Sequence, residues 1–374
     1  MIANRRICVL ASLCVAICAA SNAVCAEKVA KAKANSDSQT VWRDCKDIGV
    51  EGKGWTDTLS YYDRLPGKAQ GKVPEKVWVV SHCSTGLCVR FTTDAKSIHV
   101  HWTLRCSDLA MPHMPATGVS GLDFYAKDTQ GQWRFVGNGR PLAVSNTAEF
   151  EVPPGEQYLL YLPLYNDVKS VEIGIPKGRT ISAYNAVLPN PRKPVVFYGT
   201  SITQGGCASR PGMAFTAIIG RRLEIPIINL GFTGSGKMEP EMADLLAELD
   251  PSVYVLDCLW NMTPQEVVER IEPFVKRLRQ AHPNTPILLA EDSSFRNVSP
   301  TEKGRILRTA FEKLKAEGVK NLHFLSSQGM LGTDSEGTVD GCHPNDLGMM
   351  RLADAFAKAL MPLVQESPPQ TTIK

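Results

Sequence analysis

Charge of one sign is the first thing this sequence lacks: 41 Lys and Arg stand against 38 Asp and Glu, a formal net charge of +3. There is no polybasic field, which argues against nucleic acid as a partner. Long apolar runs are scarce too. Ile7 to Ala20 is the candidate, and it falls short of the ~20 residues a spanning helix needs. That excludes a polytopic membrane protein. No low-complexity tract lies between the termini, and no short-period repeat is visible. Cys-x-x-Cys and His-Glu-x-x-His are both missing, as is a phosphate loop ending in Gly-Lys-Ser/Thr. No metal ion and no organic cofactor is therefore expected.

The remainder is an ordinary globular composition, 43% hydrophobic and 21% charged over 374 residues. At roughly 150 residues per domain, that length holds about two domains with real cores. The first 26 residues read as a secretory signal. Arg5 and Arg6 precede the apolar run, and Val24-Cys25-Ala26 offers small-residue cleavage before Glu27. An uncleaved anchor is the alternative. Cleavage predicts an exported chain, periplasmic or extracellular, with no membrane insertion. It also leaves seven cysteines: Cys45, Cys83, Cys88, Cys106, Cys207, Cys258 and Cys342. An oxidising compartment permits disulfides, and an odd count leaves at least one thiol. Cys83 and Cys88 flank a turn and are either a hairpin disulfide or buried thiols.

The pattern changes near residue 190. Residues 27–40 are a Lys- and Ala-rich leader, and residues 364–374 a polar tail. Residues 41–188 read as short strands between turns, which predicts an all-β sandwich. The strands are expected at Val77–Val80, Leu87–Phe91, Ile98–Leu104, Leu122–Ala126, Trp133–Val136, Ala148–Val152, Tyr158–Leu162, Val171–Ile175 and Ile181–Val187. Trp42, Trp55, Trp78, Trp102 and Trp133 are expected in its core, or as a sugar-stacking platform. His99 and His101 share a strand face and are read as solvated rather than metal-binding.

Asn190 to Pro194 reads as a linker. Beyond it, residues 193–363 alternate strand and helix, the pattern of an α/β fold with a doubly wound parallel sheet. Apolar runs at Val195–Tyr198, Ile227–Leu230, Val253–Asp257, Ile287–Ala290 and Leu322–Leu325 are buried strands. Helical faces are carried by Val267, Ile271, Phe274, Val275 and Leu278; by Ile306, Leu307, Ala310, Phe311 and Leu314; and by Leu352, Ala353, Phe356, Ala357 and Leu360. In such sheets ligands bind at the carboxyl ends of strands.

Four short motifs sit at those ends. Gly199-Thr200-Ser201 follows the first strand, so Ser201 is either an exposed nucleophile or a helix cap. Asn229 to Gly236 follows the second, with three glycines that let backbone amides face a ligand. Asn261 follows the third and is either an oxyanion donor or a turn-former. Asp340 and His343 stand three apart before the last helix, where a carboxylate can orient an imidazole base. Arg210, soon after the serine, either lines the site or holds the Gly206–Gly212 loop.

Taken together, this order resembles the SGNH hydrolases, the GDSL-like esterase and lipase superfamily. Gly199 to Gly212 is similar to a bacterial subgroup that carries an N-terminal β-sandwich with a Gly-x-Asp-Leu-Tyr signature, which here reads Gly121-Leu122-Asp123-Phe124-Tyr125. The resemblance implies Ser201 as nucleophile, Gly234 and Asn261 as oxyanion donors, and Asp340 and His343 as acid and base. It implies a carboxylic ester as substrate, small or on a polysaccharide. Two blocks depart from the family: Gly-Thr-Ser-Ile stands for Gly-Asp-Ser-Leu, and Leu-Trp-Asn-Met for Gly-x-Asn-Asp. A non-catalytic sugar-binding protein and a thioesterase or lysophospholipase are the alternative readings. Cys207, Cys258 and Cys342 neighbour these blocks, either with one disulfide among them or as buried small side chains.

Overall fold

The structure is a computed structural model, and it describes residues 39–184, 192–293 and 299–365. The expected signal, leader and tail lie outside those residues, but for Gln39, Thr40, Val364 and Gln365. The start of the linker and the end of the strand expected at Ile181–Val187 also lie outside them.

Nine strands build the first region: β1 Thr40–Asp44, β2 Cys88–Thr93, β3 Ser97–Leu104, β4 Leu122–Lys127, β5 Trp133–Gly139, β6 Ser145–Glu151, β7 Gln157–Tyr161, β8 Val168–Pro176 and β9 Ile181–Ala183. They form two antiparallel sheets, β1-β8-β3-β6 and β5-β4-β7-β2-β9. Strand β3 shows why they pack face to face. Its sequence alternates, and Ile98, Val100, Trp102 and Leu104 are all fully buried. They meet Val89, Phe91, Phe124 and Leu160 of the other sheet in one core. This is a β-sandwich.

Two expectations are corrected here. Val77–Val80 lies not in a strand but in a helix, Glu75–Ser81, which starts after Pro74. A four-residue apolar run fits either element, and Pro at a helix start favours the helix. Nor do all the tryptophans serve the sandwich. Trp102 does, but Trp55 and Trp78 are buried in the core of the α/β region, with Leu230, Phe232 and Met242.

The second region holds β10 Val195–Gly199, β11 Ile227–Gly231, β12 Val253–Asp257, β13 Ile287–Ala290 and β14 Leu322–Leu325. They form one parallel sheet in the order β11-β10-β12-β13-β14. Both faces are covered. Val196 and Tyr198 of β10 face the core with helices Pro240–Leu246, Pro264–Ala281 and Glu302–Ala316. Val195 and Phe197 face the other, with Phe215–Leu223 and Asp346–Gln365. This is why the strands read as unbroken apolar runs. The order runs outward both ways from the β10–β12 pair, so the crevice for a ligand lies beyond the ends of these two strands.

The two regions share cores. Tyr125, Leu159 and Tyr161, on the sandwich face away from its own core, pack with Phe215 and Phe356 of the α/β region. Among the described residues, no helix is long and apolar enough to cross a membrane. All seven described cysteines are free thiols. The hairpin disulfide Cys83–Cys88 is therefore not formed, nor is one among Cys207, Cys258 and Cys342. Cys83 Sγ lies 3.5 Å from the Tyr165 carbonyl and Cys258 Sγ 3.5 Å from that of Tyr198. Burial pushes the Cys83 thiol up to about 12.

Candidate active site

At the end of β10 the chain turns directly into a one-turn helix, Ser201–Gln204. Thr200 caps it, accepting from the Ile202 amide at 3.3 Å. Ser201 therefore takes the first helical position, where a backbone N–H has no partner within the helix. Its carbonyl accepts from the Gly206 amide at 2.8 Å and from the Tyr165 hydroxyl at 3.0 Å. Thr203, which stands where an elbow motif would have glycine, donates its hydroxyl to Asp257 at 2.8 Å. Burial pushes the Asp257 carboxyl up to about 6 against that bond.

The Ser201 hydroxyl lies 2.9 Å from His343 Nε2. The other ring nitrogen, Nδ1, lies 2.8 Å from Asp340 Oδ2. These groups are 142 residues apart in sequence, and the last turn before helix Asp346–Gln365 joins them. Within that turn Asp340 Oδ1 accepts from the amides of Cys342 at 3.0 Å and His343 at 2.7 Å. Partial burial would push the Asp340 carboxyl up. The His343 amide and ring and the Cys342 amide outweigh it and bring it down to about 2. Asp340 is thus an anion set against Nδ1 of His343, while Nε2 faces Ser201.

Gly234 comes from the loop after β11, and Asn261 ends a single 3-10 turn, Leu259–Asn261, after β12. A Cβ on Gly236 would overlap the Gly199 carbonyl and lie 3.2 Å from the Thr200 amide, so the glycine loop runs against the Ser201 turn. Gln204 ties the two together, accepting from the Thr233 amide at 2.8 Å. Asn261 Nδ2 donates to the Ser235 carbonyl at 2.6 Å. That amide nitrogen carries two hydrogens, so one remains for a ligand.

The sandwich region contributes more than support. Arg64 is buried and donates to the Asn229 and Gly231 carbonyls at 3.1 and 2.7 Å, pinning the end of β11. Burial lowers its guanidinium to about 10. Arg210 does not stand free in the site. Its Nη1 donates to Asp123 and to the Tyr125 hydroxyl, both at 2.7 Å, and Asp123 also accepts from the Gly212 amide at 2.8 Å. The Asp and Tyr of Gly121–Tyr125 thus hold the loop that follows Ser201.

Two further side chains reach the site from the first region. The exposed Lys76 places its ammonium against Gly234. The His113 ring lies 5.6 Å from that of His343, centroid to centroid. No local pattern marks either residue, because each meets the site only through contacts between segments distant in sequence. Metal-type donors gather there too: His113, Cys207 and His343 offer atoms within 4.8 Å of one another. By contrast His101 is taken by Thr147 and Ser145, at 3.0 and 3.3 Å.

Similarity to known proteins follows the same two regions. Residues 192–361 match the model of the GDSL-like lipase/acylhydrolase family. Residues 40–181 match that of the GxDLY N-terminus of SGNH-hydrolase-type esterases. A GDSL-like lipase from Bacteroides ovatus is 34% identical, with a TM-score of 0.80, covering 87% of this chain and 98% of its own. A salicylyl-acyltransferase from a tetracycline biosynthetic pathway shares 19% identity and a TM-score of 0.67, over 87% and 95% of the two chains. A family two carbohydrate esterase from Clostridium thermocellum, solved with cellohexaose, shares 13% and a TM-score of 0.51, over 75% and 93%. The last two are likenesses of fold. No match was found among curated proteins.

Proposed function

Because the chain belongs to the GDSL-like lipase and acylhydrolase family of carboxylic ester hydrolases, we propose that it is an exported serine esterase that removes acetyl or other short acyl groups from carbohydrate. The observation that carries the reading is the unbroken relay from Ser201 Oγ through His343 to Asp340, at 2.9 and 2.8 Å. In this mechanism His343 Nε2 takes the serine proton while Asp340 stabilises the imidazolium. The alkoxide attacks the ester carbonyl. Negative charge that develops on its oxygen is met by the Ser201 and Gly234 amides and the free N–H of Asn261. His343 then returns the proton to the leaving alcohol. Water, activated by the same base, releases the acid from the acyl-enzyme.

No step needs a metal or an organic cofactor. The family two carbohydrate esterase of the same fold holds cellohexaose, which makes a sugar-borne ester the first substrate to try. Export is supported by the pattern of residues 1–26.

The experiment is acetate release by residues 27–374 from an aryl acetate and from acetylated xylan, with Ser201→Ala as control. Ser201→Ala is expected to lower kcat by at least about 10^4-fold. Equal rates for the two proteins would remove the serine mechanism, and a preference for the aryl ester alone would remove the sugar.

A further inference from the structure

We propose that His113, Cys207 and His343 form a binding site for a zinc-class divalent cation, and that its occupancy switches the enzyme off by taking the lone pair of the catalytic base. The first half stands on geometry alone; the second rests on the serine esterase reading above.

Three separate segments bring these residues together: the 105–115 loop of the first region, the turn after the nucleophile helix, and the Asp340–His343 turn. No spacing rule in the sequence could reveal the set. Two imidazoles and a thiol are donors zinc prefers, usually with water in the fourth place. Bonds of about 2.0–2.3 Å place tetrahedral ligand atoms about 3.5 Å apart. The three donor atoms lie within 4.8 Å of one another. His113 is exposed and free to close the difference, while Cys207 is 4% exposed and fixed.

His343 is already arranged as a zinc ligand would be. Asp340 holds Nδ1 at 2.8 Å. A carboxylate on the far ring nitrogen fixes the tautomer and raises the basicity of the near one. The near one is Nε2, which faces the Ser201 hydroxyl. A Cβ on Gly206 would lie 3.2 Å from His343 Cδ2, so the backbone leading into Cys207 runs along that same edge of the ring. Cys207 itself is held at φ 70°, a conformation uncommon for a non-glycine residue.

On binding, the His343 Nε2 lone pair leaves the serine proton and bonds to the cation. The Cys207 S–H bond breaks, its proton passes to solvent, and the sulfur bonds to the cation. Nothing is oxidised or reduced. Ser201 keeps its proton and has no base.

The test has two readouts on the same protein, residues 27–374. Titration with CoCl2 should give one bound Co2+ with a thiolate charge-transfer band in the near ultraviolet. The band should appear in Ser201→Ala as well, so it does not depend on turnover. It should be lost in Cys207→Ser. In ester hydrolysis, ZnCl2 should inhibit and EDTA should restore the rate. The concentration for half inhibition should rise at least about tenfold in His113→Ala and in Cys207→Ser. His113 is exposed, so its replacement leaves the fold intact and the test decisive. No thiolate band, or equal zinc sensitivity in wild type and His113→Ala, would overturn the site. A thiolate band with no zinc inhibition would keep the site and overturn the switch. A band in a protein that hydrolyses no ester would keep the site and count against the esterase reading instead.

Discussion

Asp123 and Arg210 meet at 2.7 Å across the junction of the sandwich and the α/β region, and this pair ties the two together in the loop that follows Ser201. The Asp123 side chain is fully buried, and burial pushes its carboxyl up even though Arg210 pulls it down. The guanidinium also stacks on Phe135, 3.7 Å from the ring centroid. The Gly121–Tyr125 motif therefore has a mechanical role: it fixes the loop between Gly206 and Gly212.

Removing one partner of such a pair leaves a buried charge without its counterpart. Arg210→Ala, which leaves the fully buried Asp123 carboxylate unpaired, is expected to destabilise the protein by about 3–5 kcal/mol, read from urea unfolding. Arg210→Lys should not match the wild type: an ammonium could donate to Asp123 and Tyr125, as the single Nη1 does, but has no planar face to lay on Phe135 at the same time. Full stability in Arg210→Lys would show that charge alone suffices.

The oxyanion assignment makes a separate prediction. Asn261→Ala should lower kcat by about 10^2–10^3-fold with KM little changed, because the donor acts on charge present only in the transition state. A rise in KM at constant kcat would instead make Asn261 a ground-state contact. Asp340→Asn should lower kcat by about 10^4-fold by fixing the wrong tautomer of His343.

Gly206 tests how closely the base is held. A Cβ there would lie 2.7 Å from Tyr165 Oη, 2.9 Å from the Ser201 carbonyl and 3.2 Å from His343 Cδ2. Something must move, and the neighbours include Ser201 and His343. Gly206→Ala is expected to cut kcat by about 10^2-fold, the scale of a 1 Å misplacement, with a modest loss of stability. Unchanged kcat would mean that the turn absorbs the methyl without shifting either group.

Asp257 links the site to pH. Burial raises its carboxyl to about 6 in the folded chain, above the ordinary value of 3.8. The folded state then binds more protons than the unfolded between these values, so stability falls as pH rises from about 4 to about 6. Its contribution is fully favourable only below the lower value. Asp257→Asn keeps an acceptor for Thr203 and removes the ionisation. The variant is expected to be more stable than wild type by about 2–3 kcal/mol at pH 7, a gap that closes by pH 4. Denaturant melts at the two pH values check this, and a gap independent of pH would rule out ionisation as its cause.

Fold class was legible in the chain because burial writes itself into period. The alternation of Ile98 to Leu104 reads as a strand with one dry face, and the unbroken runs Val195–Tyr198 and Val253–Asp257 read as strands dry on both. Ser201, the glycine loop and Asn261 stood out because each directly follows such a run, where an α/β sheet places its ligands. Short runs carried less. Val77–Val80 is β-branched and apolar, yet it is helical, because Pro74 starts a helix there and the side chains of Val77 and Trp78 fill the α/β core.

What the sequence alone determined is thus local: which segments are dry on which faces, and which reactive residues end them. Tertiary structure decided which of those residues meet. Packing of helix Glu75–Ser81 into the α/β core puts Lys76 against Gly234, and docking of the sandwich puts His113 beside His343 and Asp123 under Arg210. The physical reason is range. Periodicity and capping act within a few turns of chain, whereas these contacts join segments that touch only after two cores have fused into one.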